Sequence, residues 1–117
     1  MTLAELRERL GDGALTVLDV RTTLEFDGVA GAHCDPRQGH IPGAKRVQVE
    51  SLFAPEGGLL PPERIRELVG APEGAEIVAY CHSGSRSRFA AEVLAGAGYT
   101  AWNYVGSWHE WSREVAD

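Results

Sequence analysis

Apolar residues along this chain alternate between two spacings, and the switches mark its elements. Leu3, Leu6 and Leu10 recur at helical intervals and stop at Gly11-Asp12-Gly13, which predicts a short opening helix. Leu15-Thr16-Val17-Leu18 predicts a buried strand ending at Asp19. Residues 27–43 lose all periodicity, are rich in Gly, Pro and polar groups, and form a long excursion too short to be a domain. Val47-Gln48-Val49 predicts a second, brief strand. Pro61-Pro62-Glu63 opens a helix running through Leu68-Val69, with proline in the first turn, where its missing N–H costs nothing. Ile77 to Tyr80 reads as a strand, Arg86 to Ala97 as a helix closed by Gly98, Ala101 to Val105 as a last strand and Ser107 to Val115 as a final helix. No internal repeat or low-complexity tract interrupts this order.

Strands alternating with helices predict an α/β fold, a parallel sheet covered on both faces. Ligands in such sheets sit beyond the carboxyl ends of the strands, where Asp19 and Cys81 both stand. The segment Tyr80-Cys81-His82-Ser83-Gly84-Ser85-Arg86-Ser87 then gains meaning. A buried strand stops at a cysteine, the backbone wraps into a tight loop, and a helix starts with its free N–H groups aimed back at the sulfur. A helix N-terminus stabilises an anion beside it, and a run of inward-turned N–H groups adds a nest for one. A thiol so placed is expected to lose its proton readily.

Composition narrows the partners. The 117 residues suit one domain spanning 1–117, and the 44% apolar and 24% charged shares are those of a soluble globular chain. A formal net charge of −6 argues against nucleic acid as a partner, although a local cradle can still oppose the global field and bind an anion. Two cysteines, Cys34 and Cys81, give no disulfide framework. No segment approaches a membrane span and no signal-peptide core is present, so a cytoplasmic location without a membrane partner is expected.

Beyond these physical cues, the ordered motifs Asp19-Val20-Arg21, Glu25-Phe26, Gly39-His40-Ile41-Pro42-Gly43-Ala44 and the cysteine loop resemble a rhodanese (sulfurtransferase) domain. Gly58-Leu59-Leu60-Pro61-Pro62-Glu63 and the closing stretch Asn103-Tyr104-Val105-Gly106-Ser107-Trp108-His109-Glu110-Trp111 resemble the catalytic second domain of the two-domain thiosulfate and mercaptopyruvate sulfurtransferases. The resemblance implies a three-layer sandwich with a parallel five-stranded sheet. It also implies a ping-pong reaction without cofactor. The Cys81 thiolate takes the outer sulfur of a small-molecule donor such as thiosulfate, and the resulting persulfide passes it to a thiophilic acceptor such as cyanide or a thiol, including a protein thiol. A covalent intermediate splits one transfer into two easier steps, and main-chain N–H groups stabilise both thiolate and persulfide.

Each candidate carries a plainer alternative. Cys81 is weighed as nucleophile against a small buried hydrophobe, and the strand-end loop favours the nucleophile. Gly84 is the residue able to take positive φ inside the cradle. Arg86, at the positive end of a helix dipole, is expected to face an anion, which tips the donor toward thiosulfate. Ser83, Ser85 and Ser87 are expected to divide between helix capping and lining the substrate pocket. His82 joins the loop as a substrate-contacting residue, with an acid–base role disfavoured because adjacent side chains seldom converge. The resemblance assigns Asp19 and Arg21 to bracing the loop region, and His40 is expected to hydrogen-bond backbone. His33, Cys34 and His40 share one loop, but without paired cysteine spacing no metal is expected. Cys34 as a resolving thiol and Trp108 as a pocket wall remain open.

The donor also stays open. Ser83 stands where thiosulfate-specific relatives tend to carry a basic residue, and His82, Ser85 and Arg86 depart from the mercaptopyruvate type. Glu25 stands where two-domain enzymes often place an arginine. A phosphatase or arsenate reductase of the same fold needs five residues between cysteine and arginine, and this chain has four. A persulfide carrier without turnover is the remaining rival.

Overall fold

The computed structural model describes residues 1–115. Helices α1 (Leu3–Arg9), α2 (Thr23–Phe26), α3 (Pro62–Val69), α4 (Ser85–Gly96) and α5 (Ser107–Glu114) surround strands β1 (Leu15–Asp19), β2 (Lys45–Arg46), β3 (Glu76–Tyr80) and β4 (Thr100–Asn103). The strands form one parallel sheet in the order β2-β1-β3-β4. The first α-helix is set by a capping box, in which Thr2 and Glu5 satisfy each other's backbone N–H groups. Helix α3 starts behind Pro61 and ends at Gly70, whose φ of 75° closes it.

Alternation along the strands divides the core in two. Ile77, Ala79 and Cys81 face the layer that contains Ile65 and Val69 of α3 and Ala90, Val93 and Leu94 of α4. Val78 and Tyr80 face the opposite layer, with Leu6 of α1 and Trp108 and Trp111 of α5. Cys81 thus continues the apolar register of β3, and the strand carries it to the carboxyl edge of the sheet.

Two expectations are corrected. The sheet has four strands among the described residues, not five, and the Met1 ammonium donates to the carbonyl of Asn103, the last residue of β4, at 2.9 Å. The second strand lies at Lys45–Arg46 rather than at Val47 to Val49. Its neighbours still follow β1, since Val47 N–H donates to the Asp19 carbonyl and Val49 N–H to that of Val20, but a 3-10 turn at Val49–Leu52 bends the chain away. That turn buries Val49 and Leu52 against α4, so Val49, the last residue of the expected strand, lies in the turn instead. Helix α2 had no apolar periodicity to announce it; a second capping box, Thr22 with Glu25, sets it.

Candidate active site

The site is built from the carboxyl end of β3, the start of α4 and the turn into α5. Cys81 is 1% exposed. Its Sγ accepts from the N–H of Gly84 at 3.1 Å, the N–H of Ser87 at 3.4 Å and the Ser87 hydroxyl at 3.3 Å. Burial pushes the Cys81 thiol up, but the Ser87 hydroxyl and the N–H groups of Ser87, Gly84 and Ser83 outweigh it, and the thiol lies below its ordinary value.

Gly84 closes the cradle with φ of 101° and serves as the N-cap of α4. A Cβ there would stand 2.7 Å from the Val105 carbonyl oxygen, so both the turn and the close approach require glycine. No serine side chain caps α4. Ser83 and Ser85 are exposed at the mouth, whereas Ser87 is fully buried beneath the sulfur. The Ser87 hydroxyl also reaches Asn103 Oδ1 at 2.7 Å, and Asn103 Nδ2 donates to the Gly84 carbonyl at 3.2 Å. One hydroxyl proton therefore serves two acceptors.

Ser107 forms the floor on the other side. Its Oγ accepts from Cys81 N–H at 3.1 Å and donates to the Tyr104 carbonyl at 2.8 Å, and its backbone sits at φ of 53°, in the left-handed region. The next two residues finish the attachment: Trp108 N–H donates to the Cys81 carbonyl and His109 N–H to that of His82, both at 2.9 Å. Neither Ser107 nor Asn103 stands out in the sequence as part of the site. The only local hint was that both fall in the closing stretch of family resemblance.

Arg86 is turned onto Glu25, its two terminal nitrogens 3.0 and 3.2 Å from the two carboxylate oxygens. Burial pushes the Glu25 carboxyl up, but the Arg86 guanidinium and the Thr22 N–H prevail and hold it at about 2. The charge expected to face an anion is thus bound across the site entrance by α2.

The bracing residues lie under the sheet end. Asp19 and Arg21 form a buried ion pair at 2.7 Å, with Arg21 also donating to the Gly39 carbonyl and lying over the rings of Tyr80 and Trp108. The Tyr80 hydroxyl accepts from Ile41 N–H at 3.0 Å, and Trp108 Nε1 donates to the Arg37 carbonyl at 2.9 Å. Together they pin the long excursion to β3 and α5. Trp108, 4% exposed, belongs to this anchoring and packs within the core. His40 stacks on Phe26 at 3.8 Å and donates from Nδ1 to the Phe26 carbonyl at 2.8 Å.

The loop's remaining residue, His82, turns its Nε2 to within 2.9 Å of Asp35 Oδ2. Cys34, Asp35 and His109 gather around the same point, with all four ligand-type atoms within 4.8 Å of one another. The residues considered as a metal set in the sequence are therefore separated: Cys34 is in this group, and His40 is on Phe26.

Among described residues, no helix is long and apolar enough to cross a membrane. The chain is similar to a probable 3-mercaptopyruvate sulfurtransferase of Pseudomonas aeruginosa, 37% identical over 92% of this chain and 39% of that protein. It is 34% identical to a sulfur carrier protein of Thermus thermophilus over 94% of this chain and 42% of that one. Among solved structures, a probable thiosulfate sulfurtransferase superposes with a TM-score of 0.77 at 40% identity, covering 97% of this chain and 44% of its own. This chain thus spans about two fifths of the length of these two curated relatives. Residues 2–114 match the model of the Rhodanese-like domain, and with the cysteine cradle standing at the end of a parallel sheet flanked by helices, the chain belongs to the rhodanese-like family.

Proposed function

We propose that this domain is a sulfurtransferase in which Cys81 carries the transferred sulfur as a persulfide, with thiosulfate as donor. The observation that carries the reading is the convergence of three hydrogen-bond donors on the buried Cys81 Sγ, at 3.1, 3.3 and 3.4 Å. The thiolate attacks the outer sulfur of thiosulfate, a new S–S bond forms, and the old S–S bond breaks with its electron pair leaving on sulfite. The persulfide's terminal sulfur then passes to cyanide, giving thiocyanate, or to a thiol, and the Cys81 thiolate returns. Neither half needs a separate general base once the thiolate is populated. The N–H groups of Gly84 and Ser87 are held by the start of α4, so they stabilise the charge without reorganising.

Two features support thiosulfate over 3-mercaptopyruvate. Sulfite leaves as a stable anion, whereas the pyruvate enolate left by 3-mercaptopyruvate needs a proton. The imidazole next to the cysteine has its Nε2 against Asp35. The similar proteins named above include a mercaptopyruvate enzyme, a thiosulfate enzyme and a sulfur carrier, so all three remain the comparison set. A loop with four residues between Cys81 and Arg86 also supports sulfur over phosphate chemistry.

Steady-state kcat/KM for thiosulfate and for 3-mercaptopyruvate, each with cyanide as acceptor, tests the assignment. Thiosulfate should be the better donor, and no phosphate ester should turn over. A higher kcat/KM for 3-mercaptopyruvate would reverse the donor. Single loading of Cys81 without cyanide turnover, discharged only by a protein thiol, would make the domain a carrier.

A further inference from the structure

We propose that Cys34, Asp35, His82 and His109 form a binding site for one divalent cation of the zinc class, beside the cysteine cradle and separate from its sulfur chemistry. The four residues come from three segments: Cys34-Asp35 from the long excursion, His82 from the cradle loop, and His109 from the first turn of α5. Each offers one ligand atom, and the four atoms lie within 4.8 Å of one another. One thiolate, one carboxylate and two imidazoles are the donor types zinc takes in four-coordinate sites, and together they neutralise a divalent charge.

The second observation is the state of the buried polar atoms. The Asp35 side chain is 0% exposed and its residue 6% exposed. Its Oδ2 and the His82 Nε2 pair at 2.9 Å, sealed from solvent and without the angular geometry of a hydrogen bond. Buried polar atoms are nearly always hydrogen-bonded, so a carboxylate oxygen and a ring nitrogen held in contact without that geometry are a pair that a shared cation would satisfy. Oδ1 is engaged differently, within 3.2 Å of both His109 Nδ1 and an Arg113 terminal nitrogen. The Arg113 guanidinium also lies 3.0 Å from His109 Nδ1 and donates to the carbonyls of His109 and Cys34, so a cation entering the site must displace this positive charge, whose side chain is 35% exposed. Zinc bonds of about 2.0–2.3 Å put tetrahedral ligands roughly 3.3–3.7 Å apart, so the longest separations must close by about 1 Å. Cys34 is on an exposed loop and the His109 side chain is 47% exposed, which leaves both able to move that far.

Binding releases the Cys34 thiol proton to solvent and forms bonds from Sγ, a carboxylate oxygen and two ring nitrogens, with no change of oxidation state. It would tie the excursion and α5 to the residue following the nucleophile.

The test is a titration of the chelator-treated full chain with Co2+, read by the visible bands of tetrahedral cobalt and the near-ultraviolet thiolate charge-transfer band, followed by displacement with Zn2+. One Co2+ per chain should saturate both signals. Cys81→Ser should keep the charge-transfer band and Cys34→Ser should lose it. His109→Ala should weaken binding by at least the ~10–100-fold seen when a ligand merely loses its supporting partner. Far-ultraviolet circular dichroism of each variant confirms that it is folded. Absence of a saturable spectrum, retention of the charge-transfer band in Cys34→Ser, or its loss in Cys81→Ser would overturn the site. Persulfide formation on Cys81 of the parent chain and of Cys34→Ser, measured with chelator present, should be the same, so it reads the sulfur chemistry separately from the cation site.

Discussion

Ser87→Ala and Asn103→Leu should move the Cys81 pKa in opposite directions. The Ser87 hydroxyl is 3.3 Å from Cys81 Sγ and 2.7 Å from Asn103 Oδ1, with a single proton for both. A hydrogen bond to a charged acceptor contributes roughly 1.5–3 kcal/mol. The long S···O distance and the competing amide put this one at the low end, so its loss should raise the Cys81 pKa by about one unit. Below the pKa the thiolate fraction then falls about tenfold, but the more basic thiolate is the better nucleophile, with a Brønsted slope of roughly 0.4–0.5. The observed alkylation rate should therefore fall only about threefold. Asn103→Leu leaves the thiolate as the hydroxyl's sole acceptor and should lower the pKa. The assay is the pH dependence of iodoacetamide alkylation at Cys81 in a Cys34→Ser background, followed by mass spectrometry. An unmoved pKa in Ser87→Ala, or a rise in Asn103→Leu as large as in Ser87→Ala, would refute the shared-proton account.

Other perturbations probe the frame of the site. Gly84→Ala places a Cβ 2.7 Å from the Val105 oxygen at a φ of 101°, and it should cost roughly 1–3 kcal/mol of stability and most sulfur transfer, read by thermal melts and kcat/KM. Glu25, held at about 2 mainly by Arg86 against its own burial, stabilises the fold above the ordinary carboxylate pKa of ~4.3 and loses that contribution as pH falls toward 2. Urea melts of the parent should therefore weaken between about pH 5 and pH 2, and Glu25→Gln should flatten that window, at a cost near pH 7 of only about 1–2 kcal/mol because Arg86 is a third exposed. Arg86→Ala and Glu25→Ala should reduce kcat/KM for thiosulfate to a similar extent if the pair acts by positioning the loop. A loss in Arg86→Ala more than about tenfold greater would show the guanidinium binding the donor directly.

The part of the site that could be read in the chain was local. Ile77 to Tyr80 gave a strand, Cys81 fell at its end, and the helical spacing after Arg86 aimed N–H groups at the sulfur, so β3, the cradle and α4 followed from one continuous segment. What could not be read depends on residues meeting across the fold. Arg86 meets Glu25 across 61 positions, and Asp35 meets His109 across 74, with no periodicity to link either pair. Ser107 looked like an ordinary helix start, because its positive φ is imposed by the Cys81 N–H and Tyr104 carbonyl that it joins. The strand expected at Val47 to Val49 failed for a related reason: three apolar-polar positions fit an extended edge and a 3-10 turn equally well, and packing of Val49 and Leu52 decided between them.

The central claim is that the sulfur in transit resides on Cys81. Intact-mass spectrometry after incubation with thiosulfate, under non-reducing conditions, should show one added sulfur atom, localised to the peptide carrying Cys81 and removed by cyanide with release of thiocyanate. Cys34→Ser should load like the parent, and Cys81→Ser should neither load nor transfer while keeping its fold. Loading that survives in Cys81→Ser, or sulfur found on Cys34 alone, would contradict the account.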